Sequence, residues 1–166
     1  DILFHELGVT RSSALARQAY AHFLGIGHYF IPGAEALLNT LAPRYALYLV
    51  SNGTAAVQAG RIASAGIAPY FKNIFISEEM GLHKPQREFF DACFAAIPGF
   101  HREEALIIGD SLTSDIRGGN NAGIRTCWFN PQGKPRMEGV HVDYEVSALS
   151  QIPPLLAQAA SDFTAE

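Results

Sequence analysis

From Ala105 to Asp115 the chain reads Ala-Leu-Ile-Ile-Gly-Asp-Ser-Leu-Thr-Ser-Asp, a short apolar run that ends in a glycine and an acid before a helical pattern begins. A run this short with apolar side chains on both faces marks a strand buried on both sides, the condition of a parallel sheet covered by helices. Tyr45–Val50 and Ile74–Ser77 are runs of the same kind upstream, and Arg125–Phe129 follows. Between them lie helical patterns: Thr54 to Ala65 closed by Gly66, a stretch opened by Pro85 whose Phe89, Phe90, Cys93, Phe94 and Ile97 share a face, and Ser114 to Ala122. Glycine just past a helix end and proline in a first turn are the expected punctuation. Strand and helix in regular succession predict an α/β domain built on a parallel sheet.

The opening segment breaks that rhythm. Residues Asp1 to Glu6 read as the tail of a helix, and Thr10 as the N-cap of another that runs to Leu24 with Ala16, Tyr20 and Phe23 on one face. Gly25-Ile-Gly27 stops it, and Tyr20, Phe23, Tyr29 and Phe30 are expected in the core rather than as a platform for stacking a base. After Ile31-Pro-Gly33, the residues Ala34, Leu37, Leu38 and Leu41 recur with the spacing of an amphipathic helix. Residues 131–140 read as a loop rich in Pro and Gly, and 152–166 as a terminal helix with a frayed tail.

A chain of 166 residues can bury a sizeable core without staples. Its net charge of −4, with no basic stripe, weighs against nucleic acid as a partner. No apolar stretch approaches the roughly 18 residues of a membrane span, so a membrane partner is not expected either. Six histidines fall into neither H-x-H nor H-E-x-x-H spacing, which argues against zinc. Cys93 and Cys127 sit in apolar patterns outside any C-x-x-C pair, which points to a reduced, cytoplasmic setting.

In an open α/β sheet, ligands gather beyond the carboxyl ends of the strands. There Asp110 ends one strand and Asp115 lies in the first turn that follows, so both can turn toward one point, and two such acids suit a hard cation such as Mg²⁺. A plain helix cap at Asp110 is the competing reading. Ser51-Asn52-Gly53 supplies a hydroxyl, an amide and an unhindered N–H ahead of a helix, a pattern that holds an anion, although a simple Asx or Ser turn uses the same residues. Lys84 before Pro85 puts a cation at the positive end of a helix dipole, which costs about 0.3–1 kcal/mol when exposed. Unless it points to water, it needs an anionic companion, either a phosphate or Asp110.

Ser51, Lys84 and Asp110 thus stand in order at the mouths of successive units, and the motifs around them resemble those of the haloacid dehalogenase (HAD) superfamily, in its subfamily with a helical cap. Leu49-Val-Ser-Asn-Gly53 resembles the second motif, whose hydroxyl holds the transferring phosphoryl group. His83-Lys-Pro85 resembles the third, whose lysine steadies nucleophile and phosphate, and Gly109 to Asp115 resembles the fourth, whose first acid binds Mg²⁺ and whose later acid supports the site. Ser77 to Pro85, with Ala122 to Asn130, is most similar to the pyrimidine 5′-nucleotidase-like subgroup. The resemblance implies a Rossmann-like parallel sheet, with residues 1–30 as the rear part of a helical cap and 31–166 as an incomplete core. It implies a Mg²⁺-dependent phosphomonoester hydrolase acting through an aspartyl-phosphate on a nucleoside monophosphate or another small phosphate ester. Ser51, Lys84 and Asp110 are its implied catalytic residues, Ser51, Asn52, Gly53 and Lys84 its substrate-binding residues, and Asp110 and Asp115 its metal ligands.

The family's first motif, a strand ending in Asp-x-Asp, has no counterpart here. The aspartates are Asp1, Asp91, Asp110, Asp115, Asp143 and Asp162, none in that spacing. The corresponding strand belongs at the sheet centre, between Tyr45–Val50 and Ala105–Gly109. The chain is therefore expected to be the later part of a longer protein, lacking the first central strand and its nucleophile, inactive alone, and partnered by that N-terminal segment. Two alternatives stand beside this reading: a 2-haloacid dehalogenase, which shares the Ser-Asn-Gly turn and the lysine but needs no metal, and a catalytically silent phosphate-binding or regulatory module.

Overall fold

The computed structural model describes residues 13–163. Among these, β1 (Tyr48–Ser51) pairs in parallel with β2 (Asn73–Ile76), Ser51 standing opposite Ile76. A second parallel sheet has the order β3 (Leu106–Gly109), β4 (Arg125–Phe129), β5 (Tyr144–Val146). The helices are α1 (Ser13–Gly25), α2 (Ala34–Leu41), α3 (Ala55–Ala65), the single turn α4 (Ser77–Met80), α5 (Arg87–Ala95), α6 (Arg117–Ala122) and α7 (Ile152–Phe163).

The two sheets share their apolar layers. On one face Phe89, Phe90 and Cys93 of α5 join Phe75 of β2, Ile107 of β3 and Ala122 of α6, with Tyr48 and Val50 of β1 packed against them. On the other face Leu41, Cys127, Val146, Leu149 and Ile152 form a cluster that also takes Leu47 and Leu106. Helices thus cover both faces, as the doubly apolar strands require. Among the described residues β1 pairs only with β2 and β3 only with β4, so each keeps one edge without a strand partner and a break in the hydrogen bonding separates the two sheets. Ile108 of β3 remains 37% exposed there, high for an apolar residue in a strand of this kind.

Several expected boundaries move for local reasons. β1 begins at Tyr48 rather than Tyr45, because the N–H groups of Arg44 and Tyr45 still bond to the Leu41 carbonyl as the chain leaves α2. The helix expected from Pro85 starts at Arg87, since Gln86 N–H bonds to the His83 carbonyl in a turn that precedes it. The helix expected from Ser114 opens with a π-helical turn, Leu112–Ile116, in which the Ser111 carbonyl accepts from both Asp115 and Ile116. β5 was not anticipated, being three residues long and partly polar. Thr10 lies outside the described residues. Tyr20 and Phe23 are each 69% exposed, Tyr29 is 99% exposed and Phe30 is 42% exposed, which corrects their expected place in the core. The reason is that α1 meets α3 at its far end, where a Cβ on Gly60 would lie 2.5 Å from the Gly25 carbonyl oxygen, and its aromatic face turns away.

Candidate active site

Lys84 is 8% exposed, unusual for a side chain that carries a full charge. Its ammonium donates to the Val50 carbonyl of β1 at 2.8 Å and to Asp115 Oδ1 at 2.7 Å. The lysine therefore reaches one sheet through a backbone oxygen and the other through a carboxylate. The companion anion is Asp115 and not Asp110, a correction that follows from the π-helical turn, which aims residue 115 back toward the strand end. Burying such a pair is favourable only when geometry and further hydrogen bonds are good. Here Asp115 Oδ2 also accepts from the Ser111 N–H at 3.1 Å.

Gly109 explains how Asp115 comes so close to β3. A Cβ at position 109 would lie 2.4 Å from Asp115 Cβ and Oδ2, so only glycine leaves room for the carboxylate. Asp110 follows with an exposed side chain, while its carbonyl accepts from Trp128 Nε1 at 3.1 Å. Trp128 is 1% exposed, in a cluster with Ile116, Val140 and Val142 that fixes the main chain beneath Asp110. A cleft of about 390 Å³ opens beside Asp110, lined in part by Ile31, Ile108, Phe129 and Asn130. A larger cavity of about 750 Å³, lined by Arg102, Asn120, Arg125, His141 and Asp143, lies at the opposite ends of β3 and β4, away from Asp110 and Lys84.

Ser51 ends β1 and is partly buried, next along the chain from the carbonyl that Lys84 holds. Its neighbours are already engaged. The Asn52 side chain bonds to both main-chain groups of Lys84, at 2.8 and 2.9 Å, and the Gly53 N–H donates to Ser77 Oγ at 3.1 Å. The Ala55 N–H, in the first turn of α3, donates to Glu78 Oε2 at 2.7 Å, so a protein carboxylate occupies the positive end of that helix. Direct contacts therefore join the region of Ser51, Asn52, Lys84 and Asp115, and Asp115 touches the Gly109–Ser111 turn that carries Asp110.

Sequence reasoning missed Ser77, Glu78, Trp128 and Asn121, whose amide donates to the Pro85 carbonyl, as supports. A signal existed for Asn121, since Gly118-Gly-Asn-Asn121 is a run of poor helix formers in a helix, which points to a tertiary reason for those residues.

Among the described residues no three His, Cys, Asp or Glu gather as a ligand cluster. Mg²⁺ commonly takes one or two carboxylates and completes its shell with water and phosphate oxygens. Asp110, an exposed hard oxygen donor on a main chain pinned by Trp128, fits such a role. No helix among the described residues is long and apolar enough to cross a membrane.

Comparison with known proteins gives the family. YfnB of Bacillus subtilis, a protein assigned to the HAD hydrolases, is 43% identical over 154 residues, 93% of this chain and 66% of that protein. Its magnesium-bound orthorhombic crystal structure matches with a TM-score of 0.88 at 42% identity, over 93% of this chain and 68% of that one. The pyrimidine 5′-nucleotidases PynA of Streptococcus pneumoniae and YjjG of Escherichia coli are 41% and 36% identical, over 87% and 77% of this chain and 61% and 57% of theirs. The chain thus spans 57–66% of the length of these curated relatives. With a family model for haloacid dehalogenase-like hydrolases matching residues 4–129, the chain belongs to that family.

Proposed function

We propose that the full-length protein is a Mg²⁺-dependent phosphomonoester hydrolase acting on small phosphate esters, nucleoside monophosphates first among them. The observation that carries this reading is the Lys84 ammonium, buried at the break between the sheets and held by the Val50 carbonyl and Asp115. A fixed cation in a site of low dielectric stabilises charge that builds on transferring phosphoryl oxygens. The Ser51 hydroxyl, beside it on β1, donates to the same group. Asp110 holds Mg²⁺, which when bound neutralises phosphoryl charge as a Lewis acid. Asp115 steadies Lys84 and the turn behind Asp110.

The break between β1 and β3 supports a further central strand in the whole protein, whose end delivers the nucleophilic carboxylate next to Lys84. By this reading the residues here bind, orient and neutralise, and bond formation to phosphorus belongs to that strand. α1 and the chain after it, with exposed Tyr20, Phe23 and Tyr29, would form the rear of the cap that selects the leaving group. Cys93 and Cys127 are buried free thiols, which suits a reducing, cytoplasmic setting.

The test is phosphate release from a panel of nucleoside monophosphates and sugar phosphates by the full-length protein, with Mg²⁺ and with EDTA. The expected result is turnover with Mg²⁺ alone, fastest on pyrimidine nucleotides. Halide release from 2-haloacids in EDTA, without phosphate release, would reverse it in favour of a dehalogenase.

A further inference from the structure

The main chain beneath Lys84 is held as firmly as its ammonium. Asn52 Nδ2 donates to the Lys84 carbonyl at 2.8 Å, and Asn52 Oδ1 accepts from the Lys84 N–H at 2.9 Å, so one amide pairs with both polar groups of one residue. From another side Asn121 Nδ2 donates to the Pro85 carbonyl at 2.8 Å. Asn52 follows β1, and Asn121 lies in α6, between β3 and β4. The segment 84–85 is thus tied twice to the end of β1 and to the chain between β3 and β4, once through these amides and once through the lysine ammonium.

Lysine has a long, flexible stem, and its ammonium is a point charge that donates in many directions. Fixing Nζ relative to a reacting group requires fixing the Cα from which it hangs. Asn52 and Asn121 are both exposed as residues, and the Asn52 bonds to Lys84 are partly buried. Their common target is the one segment that carries the buried cation.

We propose that Asn52 and Asn121 are positioning residues that set the location of the Lys84 ammonium, and that the Asn52 side chain acts on the lysine and not on the substrate. This rests on the proposed role of Lys84, and the test separates the two. In the full-length protein with p-nitrophenyl phosphate and Mg²⁺, Asn52→Ala lowers kcat about tenfold or more and leaves KM within about twofold. Because the amide works through the ammonium, Asn52→Ala combined with Lys84→Ala turns over no more slowly than Lys84→Ala alone. A double variant slowed by the product of the two single losses, or an Asn52→Ala variant with raised KM and unchanged kcat, overturns the proposal.

A second reading does not depend on turnover. Acetylation of Lys84 by acetic anhydride, followed by mass spectrometry, is expected to be slow in the natural protein and faster in Asn52→Ala. Equal labelling overturns the proposal. If Asn52→Ala does not fold, Asn121→Ala, which removes a single bond, is read in both ways with smaller changes expected, and wild-type values in both assays contradict it. Were Lys84→Ala to keep wild-type turnover while labelling rose in Asn52→Ala, positioning would stand and the catalytic reading of the lysine would fall.

Discussion

At the scale of single residues, one device recurs: a side-chain amide that pairs with both the N–H and the C=O of another residue. Asn52 does this to Lys84, Asn120 to His141 and Asn130 to Lys134. Each pins a loop that has no strand partner, in the way a ladder bond would. The charged centre is more demanding. Removing Asp115 leaves a buried ammonium without its anion, so Asp115→Ala should lose about 3–5 kcal/mol in urea unfolding. A loss close to zero would show the ammonium free to reach water. Asp143 governs a different response. Burial pushes its carboxyl up, but hydrogen bonds from the Thr126 hydroxyl and N–H, with His141 behind them, outweigh this and leave it below its ordinary 3.8. As pH falls from 3.8 toward the lower folded-state value, the unfolded chain takes up the proton first and stability drops. Asp91 and Glu145 shift the same way, led by hydrogen bonds from Arg102 and Asn130. The urea midpoint should therefore decline on acidification below about pH 4, and less steeply in Asp143→Asn. An equal decline in that variant would remove Asp143 from the response.

At the scale of elements, α6 shows where local preference yields to packing. Gly118 and Gly119 are poor helix formers, yet a Cβ on Gly118 would lie 2.5 Å from the Phe90 ring, and one on Gly119 would lie 2.6 Å from both Ile107 Cγ2 and Thr126 Cγ2. Helix propensity alone favours Gly119→Ala by about 1 kcal/mol. Overpacking of about 1–3 kcal/mol opposes it, so the variant should unfold at lower urea. A raised midpoint would mean that α6 can lift from the sheet. The elements most legible in the sequence were those with a single dominant signal. Four apolar strands and the helix from Thr54 to Gly66 were readable to within a few residues, because a doubly buried strand and a left-handed glycine, here with φ 65°, leave few alternatives. The π-helical turn at Leu112–Ile116 was not readable, since it accompanies the contact of Asp115 with Lys84, residues 31 positions apart that no local pattern links. The same holds for α1, whose aromatic face reads as core by periodicity and lies exposed.

At the scale of the whole molecule, two sheets share apolar layers on both faces and are bridged at their carboxyl ends by one lysine. The candidate residues were legible because each sits where a strand ends, and strand ends in this architecture face one crevice. Their partnerships were not, because pairing Lys84 with Asp115, and Asn52 with the lysine main chain, is decided by loop geometry that no local pattern encodes. The proposed function rests on Asp110 holding a magnesium ion for phosphoryl transfer at this crevice. Its most direct test is a Mg²⁺ titration of phosphate release by the full-length protein and its Asp110→Asn variant. The expected result is saturable activation in the natural protein and loss of metal-dependent turnover in the variant, and the same titration curve in both would contradict the proposed role of Asp110.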